Sequence, residues 1–367
     1  MTTDVHPVSL AGPSDTAVTD AFVERLFGSI LGALDLQAVY LGDRLGYYRA
    51  LATGPLTSIE LATRTGTAER YAREWLEQQA VTGILVTDDR VVDALARRYE
   101  LPAPQVGPLT DALDPSHFAP FVQFVVGCLK QTELMANAFR TGGGVSWAEH
   151  GPDAREGQAA ANRPLFLGPL GREYLPAIPD VDAALRAGGR AADVGCGLGW
   201  SSIGIALAYP DATVDGYDVD LPSIEAARRN AREAGVDDRV RFHAGDVAAV
   251  DRGTYDAVFA FECIHDLPDP VGVLAAMRKL AGGSGAVVVM DERVAETFTA
   301  PGDDVERLMY GYSLVCCLAD GMAHGSSAGT GTVMRPSTLR RYAVEAGFAD
   351  VEILDIENDF FRFYRLR

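Results

Sequence analysis

From about residue 188 onward the chain alternates short apolar runs with longer amphipathic ones, and this rhythm constrains the fold more than any other feature. RAADV, ATVDGYD, VRFHA, DAVFAFE and GAVVVMDE have strand length. SSIGIALAY, PSIEAARRNAREAG, PVGVLAAMRKLA and STLRRYAVEAGF instead carry apolar residues at three- and four-residue spacing, the helical period. Strands buried on both faces and joined by helices form a mostly parallel sheet covered on both sides. DVEILDIEN and FFRFYRLR have no helix between them, so they are expected to close the sheet as a hairpin with one antiparallel strand. The fold class is therefore α/β, with ligands expected outside the carboxyl ends of the strands where strand order reverses.

The first half reads differently. AFVERLFGSILGALDLQAVYLGDRLGYYRAL has a wide apolar face that must bury against something, and a second subunit is the reasonable candidate. Thr57 or Ser58 can cap a short helix starting near Ile59, and Gly66 can end it. TAERYAREWLEQQAVTGIL supplies another helix, and ILVTDDRVVDALARRYEL a small β-element around a DDR turn. This is the outline of a winged helix, whose usual partner is DNA. The second helix mixes Glu69, Arg70, Arg73, Glu74 and Glu77 and has no basic face, so dimerisation or substrate enclosure is the preferred role. Residues 106–180 read as further helices broken by TGGGV, with FAPFVQFVVGCLKQTELMANAF apolar on most sides. The expected organisation is a leader at 1–20, a winged-helix-like dimerisation domain at 21–105, a helical connector and lid at 106–185, and the α/β domain at 186–367.

Charge and cysteines narrow the partners. The formal net charge of −19 disfavours nucleic acid and anionic membranes, which require clustered Lys and Arg. No apolar run is long enough to span a bilayer, and the five cysteines show no metal-finger spacing, so a reduced cytoplasmic setting is expected. His117, His150 and His243 read as surface or core residues, and Cys316 and Cys317 as small buried hydrophobes.

The first strand runs into DVGCGLGW. Gly195, Gly197 and Gly199 make GxGxG rather than the dinucleotide GxGxxG, and Trp200 stands where the third fingerprint glycine belongs. Asp193 would be badly placed beside a pyrophosphate and well placed near a cation. Asp218, at the end of the next strand, can accept hydrogen bonds from ribose hydroxyls, and Asp246, at the end of the third, from an adenine amino group. Acids at three successive strand ends suit a ligand with ribose, adenine and a cationic centre.

DVGCGLG, YDVD and HAGDV, in that order and spacing, resemble the motifs of class I S-adenosylmethionine-dependent methyltransferases. The winged-helix-like front, TGGGVSW, REGQAAANRPLFLG, IHD and GTGTVM further resemble actinobacterial small-molecule methyltransferases across residues 20–367. The resemblance implies a Rossmann-like seven-stranded methyltransferase domain, S-adenosyl-L-methionine as cofactor, and a homodimer formed through the N-terminal helices. It gives Asp193, Gly195, Gly197 and Gly199 to the methionine end, Asp218 to the ribose, and Asp246 with Val247 to the adenine. Phe261 on the fourth strand joins them as a cofactor residue.

FECIHDLPDP places His265 and Asp266 just past that fourth strand, where an acceptor would meet the methyl group. An imidazole can take a hydroxyl proton near neutral pH, and a neighbouring carboxylate can orient it, so His265 is the expected general base and Asp266 its partner. The expected reaction is O-methylation of a small molecule. The alternatives are C-methylation of an α-keto acid or similar carbonyl acceptor, a regulator binding S-adenosylmethionine and DNA, and a methyltransferase fold turned to other chemistry. Some C-methyltransferases that this chain resembles hold iron with a His-Asp pair and a later His. His265 and Asp266 match that pair, while the later position falls near Cys316, with His324 eight residues on. No metal ligand is assigned. The insertion at 299–334 is long enough to be a lid, and its Met309, Tyr310 and Tyr312 are candidates for the acceptor pocket or for core.

Overall fold

The computed structural model describes residues 15–250 and 254–367. Residues 1–14 of the expected leader lie outside the described residues, and 15–20 are no leader: they open the helix Asp15–Arg44. The chain divides into two compact units, Met1–Gln105 and Val106–Arg367.

In the first unit, Thr57 caps the helix Ser58–Thr65. Glu60 N–H donates to the Thr57 hydroxyl at 3.2 Å, and the Glu60 carboxylate accepts from Thr57 N–H at 2.8 Å. This reciprocal pair satisfies two donors that a helix start leaves open. Helix Glu69–Val81 follows, then the antiparallel strands β1 (Val86–Thr87) and β2 (Tyr99–Glu100), which form the wing. On the second helix Arg70 pairs with Glu74 and Arg73 with Glu69, so its guanidiniums are matched by its own carboxylates. Along Asp15–Arg44, Phe22, Leu26, Phe27, Ile30 and Leu34 are exposed at three- and four-residue spacing.

In the second unit, the described residues form a seven-stranded sheet: β3 (Arg190–Val194), β4 (Thr213–Asp218), β5 (Val240–Ala244), β6 (Ala257–Phe261), β7 (Ala286–Glu292), β8 (Val351–Ile353) and β9 (Phe361–Leu366). Their order is β5-β4-β3-β6-β7-β9-β8, with β9 antiparallel to both of its neighbours. The chain leaves β3 towards β4 on one side and returns to β6 on the other, so the switch point lies at the end of β3. Every residue of β6 and β7 is buried. Ala257, Phe259 and Phe261 pack into one core and Val258 and Ala260 into the other. Two-sided burial is why these strands read as continuous apolar runs rather than alternating ones.

The apolar stretch 118–139 forms two helices, Ala119–Leu129 and Thr132–Thr141, and the first packs on the long helix Trp147–Leu167. That helix is broken at Gly151, where φ is +80°. The 299–334 insertion contains the helix Asp304–Tyr312, a π-helical turn Ser313–Cys317 and the short helix Leu318–Met322. Met309 is buried, and Tyr312 packs on Phe124 with ring centroids 5.3 Å apart. Among the described residues, no helix is long and apolar enough to cross a membrane.

Candidate active site

A cleft of 580 Å³ opens at the carboxyl ends of β3, β4, β5 and β6, where the topology directs ligands. Gly195 and Gly197 line it, with φ of +71° and +49°, a backbone conformation that an L side chain resists. A Cβ on Gly197 would meet nothing within 4 Å, so this turn presents bare backbone to the cavity. Its N–H donates to Asp218 Oδ2 at 2.8 Å, and Asp220 N–H donates to Oδ1, also at 2.8 Å. Each Asp218 oxygen thus keeps one further acceptor site in the cleft. Asp246 lies at the rim with Val247, its Oδ1 accepting from Ala248 N–H at 2.8 Å. Phe261 and Phe166 form an apolar wall.

Two expected cofactor residues stand behind this surface. Gly199 does not line the cleft; with φ of +82° it caps the helix Trp200–Ala208, and a Cβ there would come within 2.5 Å of Phe242. Asp193 is 1% exposed and also absent from the lining. Its Oδ2 accepts from the Ser201 and Ser202 hydroxyls at 2.6 Å each, its Oδ1 has no partner among the described residues, and burial pushes its carboxyl up to about 6.

The cleft is strongly acidic. Asp218, Asp220, Asp246, Glu262, Asp266 and Asp320 all line it, whereas among the described residues Arg155 is the one Arg or Lys that does, and it is paired with Asp220 at 2.8 Å. Glu262 holds φ of +53°, a strained conformation of the kind that persists where the surroundings enforce it. Burial pushes its carboxyl up to about 8, although Asn162 donates to Oε2 at 2.9 Å; Oε1 has no partner. Arg155 and Asn162 lie in the REGQAAANRPLFLG stretch and Glu262 beside IHD, but none of the three was singled out as a site residue.

His265 sits below this surface. It is 2% exposed and does not line the cleft, whereas Asp266 does. Its Nδ1 lies 2.8 Å from both Asp291 Oδ1 and Glu292 Oε2, and its Nε2 lies 3.1 Å from Asp266 Oδ1. Burial alone would lower its pKa, but the Asp266, Glu292 and Asp291 carboxylates outweigh burial and hold it well above the usual value. Both ring nitrogens of His265 face carboxyl groups, and the ring does not line the cleft. Asp291 and Glu292, the last two residues of β7, were not anticipated. Asp266, Asp291 and Glu292 all face the ring, and burial raises the Glu292 carboxyl well above the usual range.

Asp320, from the insertion, is the other unanticipated residue of this end. Trp147 N–H donates to its Oδ1 at 2.7 Å, and Val145 N–H donates to the Ala319 carbonyl at 2.9 Å, anchoring the insertion on the TGGGVSW segment. Burial first, and then the Asp266 carboxylate, pushes Asp320 up to about 7. His324 lines the cleft from an exposed position and does not join the His265–Asp266 group. The insertion residue that does join it is Cys317, not Cys316: the ligand atoms of His265, Asp266 and Cys317 lie within 4.8 Å of one another. Cys316 faces Cys128 and His150 instead. Met309, Tyr310 and Tyr312 do not line the cleft.

Comparison with known proteins gives this geometry its context. Residues 185–322 match a methyltransferase domain family, and residues 33–111 an Rv2258c-like winged helix-turn-helix domain. The ubiquinone biosynthesis O-methyltransferase of Thiobacillus denitrificans is 30% identical over 182 residues, which cover 49% of this chain and 73% of that protein. This chain belongs to the S-adenosylmethionine-dependent methyltransferases. The 27-O-demethylrifamycin SV methyltransferase of Amycolatopsis mediterranei is 31% identical over 150 residues, 40% of this methyltransferase; the match spans just over half, 55%, of that enzyme. The mitomycin 7-O-methyltransferase MmcR has the same fold, with a TM-score of 0.70 and 22% identity over 96% of this chain and 99% of its own.

The family cofactor, S-adenosyl-L-methionine, suits the residues present. The bare backbone at Gly197, the open acceptor sites of Asp218 and an acid-rich cleft around one paired guanidinium fit a cationic nucleoside and would repel a diphosphate.

Proposed function

We propose that this methyltransferase transfers a methyl group to a hydroxyl oxygen of a small molecule, with Asp320 as the general base. When bound, S-adenosylmethionine supplies a methyl group on a positively charged sulfur. Gly195 and Gly197 offer backbone at the methionine end, Asp218 accepts from the ribose hydroxyls, and Asp246 with Val247 meets the adenine against Phe261. Asp193 holds the loop from behind through Ser201 and Ser202, and Gly199 shapes the turn into the helix. Glu262, neutral at pH 7, can donate a hydrogen bond as well as accept one.

The observation that carries the base assignment is the carboxyl of Asp320, half-buried in the cleft and pushed up to about 7. A base is most effective when its pKa lies near the working pH, and such a group is typically worth ~10²–10⁴ in rate. His265 has a different part in this account: as a buried cation it holds Asp266 in place, and Asp266 in turn keeps Asp320 basic. An O-acceptor agrees with relatives whose names specify O-methylation. C-methylation helped by iron is less well supported, because both nitrogens of His265 already face carboxylates.

The exposed apolar stripe on Asp15–Arg44 supports a homodimer formed through the N-terminal helices, and the matched charges of Glu69–Val81 weigh against a DNA-reading role. Five unpaired cysteines agree with a cytoplasmic setting. The decisive experiment offers phenols, hydroxy acids and α-keto acids with methyl-labelled cofactor. Label on a phenolic or alcoholic oxygen supports the proposal; label on carbon α to a carbonyl contradicts it.

A further inference from the structure

Three side chains from three separate segments converge away from the cleft. Cys128 lies near the end of the helix Ala119–Leu129, His150 in the first turn of Trp147–Leu167, and Cys316 in the turn Ser313–Cys317. They are 1%, 2% and 2% exposed, and their sulfur and ring-nitrogen atoms lie within 4.8 Å of one another. The two helices reach this closeness through glycine. A Cβ on Gly127 would come within 2.5 Å of Ala154 N, and one on Gly157 within 2.5 Å of Phe124 N.

The imidazole is the anomaly. Neither ring nitrogen of His150 has a hydrogen-bond partner among the described residues, and Phe124, Val125, Trp147 and Tyr312 line the surrounding core. Leaving a buried polar group unmet costs about 1–3 kcal/mol, so such a group is expected to have a partner. The Cys128 and Cys316 sulfurs lie within 4.8 Å of a ring nitrogen.

We propose that Cys128, His150 and Cys316 form a binding site for one zinc ion, which fastens the insertion to the two helices. Two sulfurs and one imidazole nitrogen are the donor set of a thiophilic d¹⁰ ion, whereas magnesium and calcium take oxygen. Ligands on one tetrahedral zinc stand roughly 3.5 Å apart, with Zn–S near ~2.3 Å and Zn–N near ~2.0 Å, so side-chain rotation has to close the present spread by about 1 Å. Binding forms two Zn–S bonds and one Zn–N bond, and the two thiol protons leave to solvent. Zn²⁺ with two thiolates and a neutral imidazole is uncharged overall, the form an apolar core tolerates best. The fourth tetrahedral position is left to a small exogenous ligand. Because none of the three residues lines the cleft, the site does not depend on the methyltransferase reading.

The test measures zinc bound to the full-length protein after dialysis. Wild type, Cys317→Ala and His265→Gln are expected to hold one zinc per chain, and Cys128→Ala, His150→Ala and Cys316→Ala at least about tenfold less. The unmodified chain provides a second readout should a core variant not fold. Cobalt added after chelation is expected to give thiolate-to-cobalt charge-transfer absorption, and zinc to protect two of the five thiols from alkylation. Wild-type protein that binds S-adenosylhomocysteine but holds no zinc and gives no thiolate–cobalt band would overturn the site. So would zinc lost from His265→Gln or Cys317→Ala yet retained by Cys128→Ala and Cys316→Ala. Zinc binding without S-adenosylhomocysteine binding would leave the site standing and defeat the methyltransferase reading alone.

Discussion

The two ends of the cleft are built by opposite rules. At the Gly195–Gly197 end the polar groups are satisfied by backbone: Asp218 accepts two N–H groups, and Asp246 caps its own turn. At the Asp266–Asp320 end, carboxyl groups crowd together around one buried imidazole, and Glu262 leaves an oxygen without a hydrogen-bond partner among the described residues. Burial raises the carboxyls of Asp218 and Asp193 at the backbone-fixed end, the latter to about 6, but their partners there are amides and hydroxyls rather than other acids. An end built from mutually coupled acids has its chemistry set by protonation, so it is the end suited to moving a proton. Variants at the two ends should therefore fail in different ways.

The largest effect is expected from Asp320→Asn. Turnover should fall by ~10²–10⁴ while S-adenosylhomocysteine affinity stays within a few-fold, as calorimetry beside rate measurements would show. Next is His265→Gln, which leaves Asp266, Asp291 and Glu292 without their buried cation and should cost about 3–5 kcal/mol in denaturant unfolding. The sign with pH is specific. The folded-state pKa of His265 is raised, so its ion-pair contribution is fully present below about 6.5 and is lost as pH rises through the folded value. Wild type should show that alkaline loss of stability, and the variant should not.

At the other end, Asp218→Asn is expected to weaken cofactor binding about 10–100-fold, because hydrogen bonds to a charged group are worth ~1.5–3 kcal/mol. It should leave the pH dependence of the surviving activity unchanged. Asp266→Asn has a subtler signature. Removing a carboxylate that raises Asp320 should move the acidic limb of kcat/KM to lower pH, with the peak rate less affected. The smallest effect belongs to the first unit. Thr57→Ala deletes a helix cap and should cost about 1 kcal/mol in unfolding, with no shift in any pH profile.

The same contrast governs what could be read from sequence. The strands, their antiparallel closing hairpin and the Thr57 and Gly66 caps all depend on local periodicity and cap chemistry, so they were legible. The places of Asp218 and Asp246 at the cleft were legible because each stands at or just past a strand end. The acceptor end was not. Asp320 reaches the cleft only because the insertion docks on Val145 and Trp147, and Asp291 and Glu292 meet His265 only because β6 and β7 are neighbours. His265 and Asp266 were found by position, but two of the three acids around the imidazole, Asp291 and Glu292, are distant in sequence. Cys128, His150 and Cys316 are three unrelated positions until the helices close over Gly127 and Gly157.

The most direct test of this account is the pH dependence of kcat/KM for wild type, Asp320→Asn and His265→Gln, measured on the same acceptor. The account predicts a rise through about pH 7 in wild type that persists in His265→Gln and disappears in Asp320→Asn. A rise that survives in Asp320→Asn and vanishes with His265 would contradict it, and would restore the imidazole as the base.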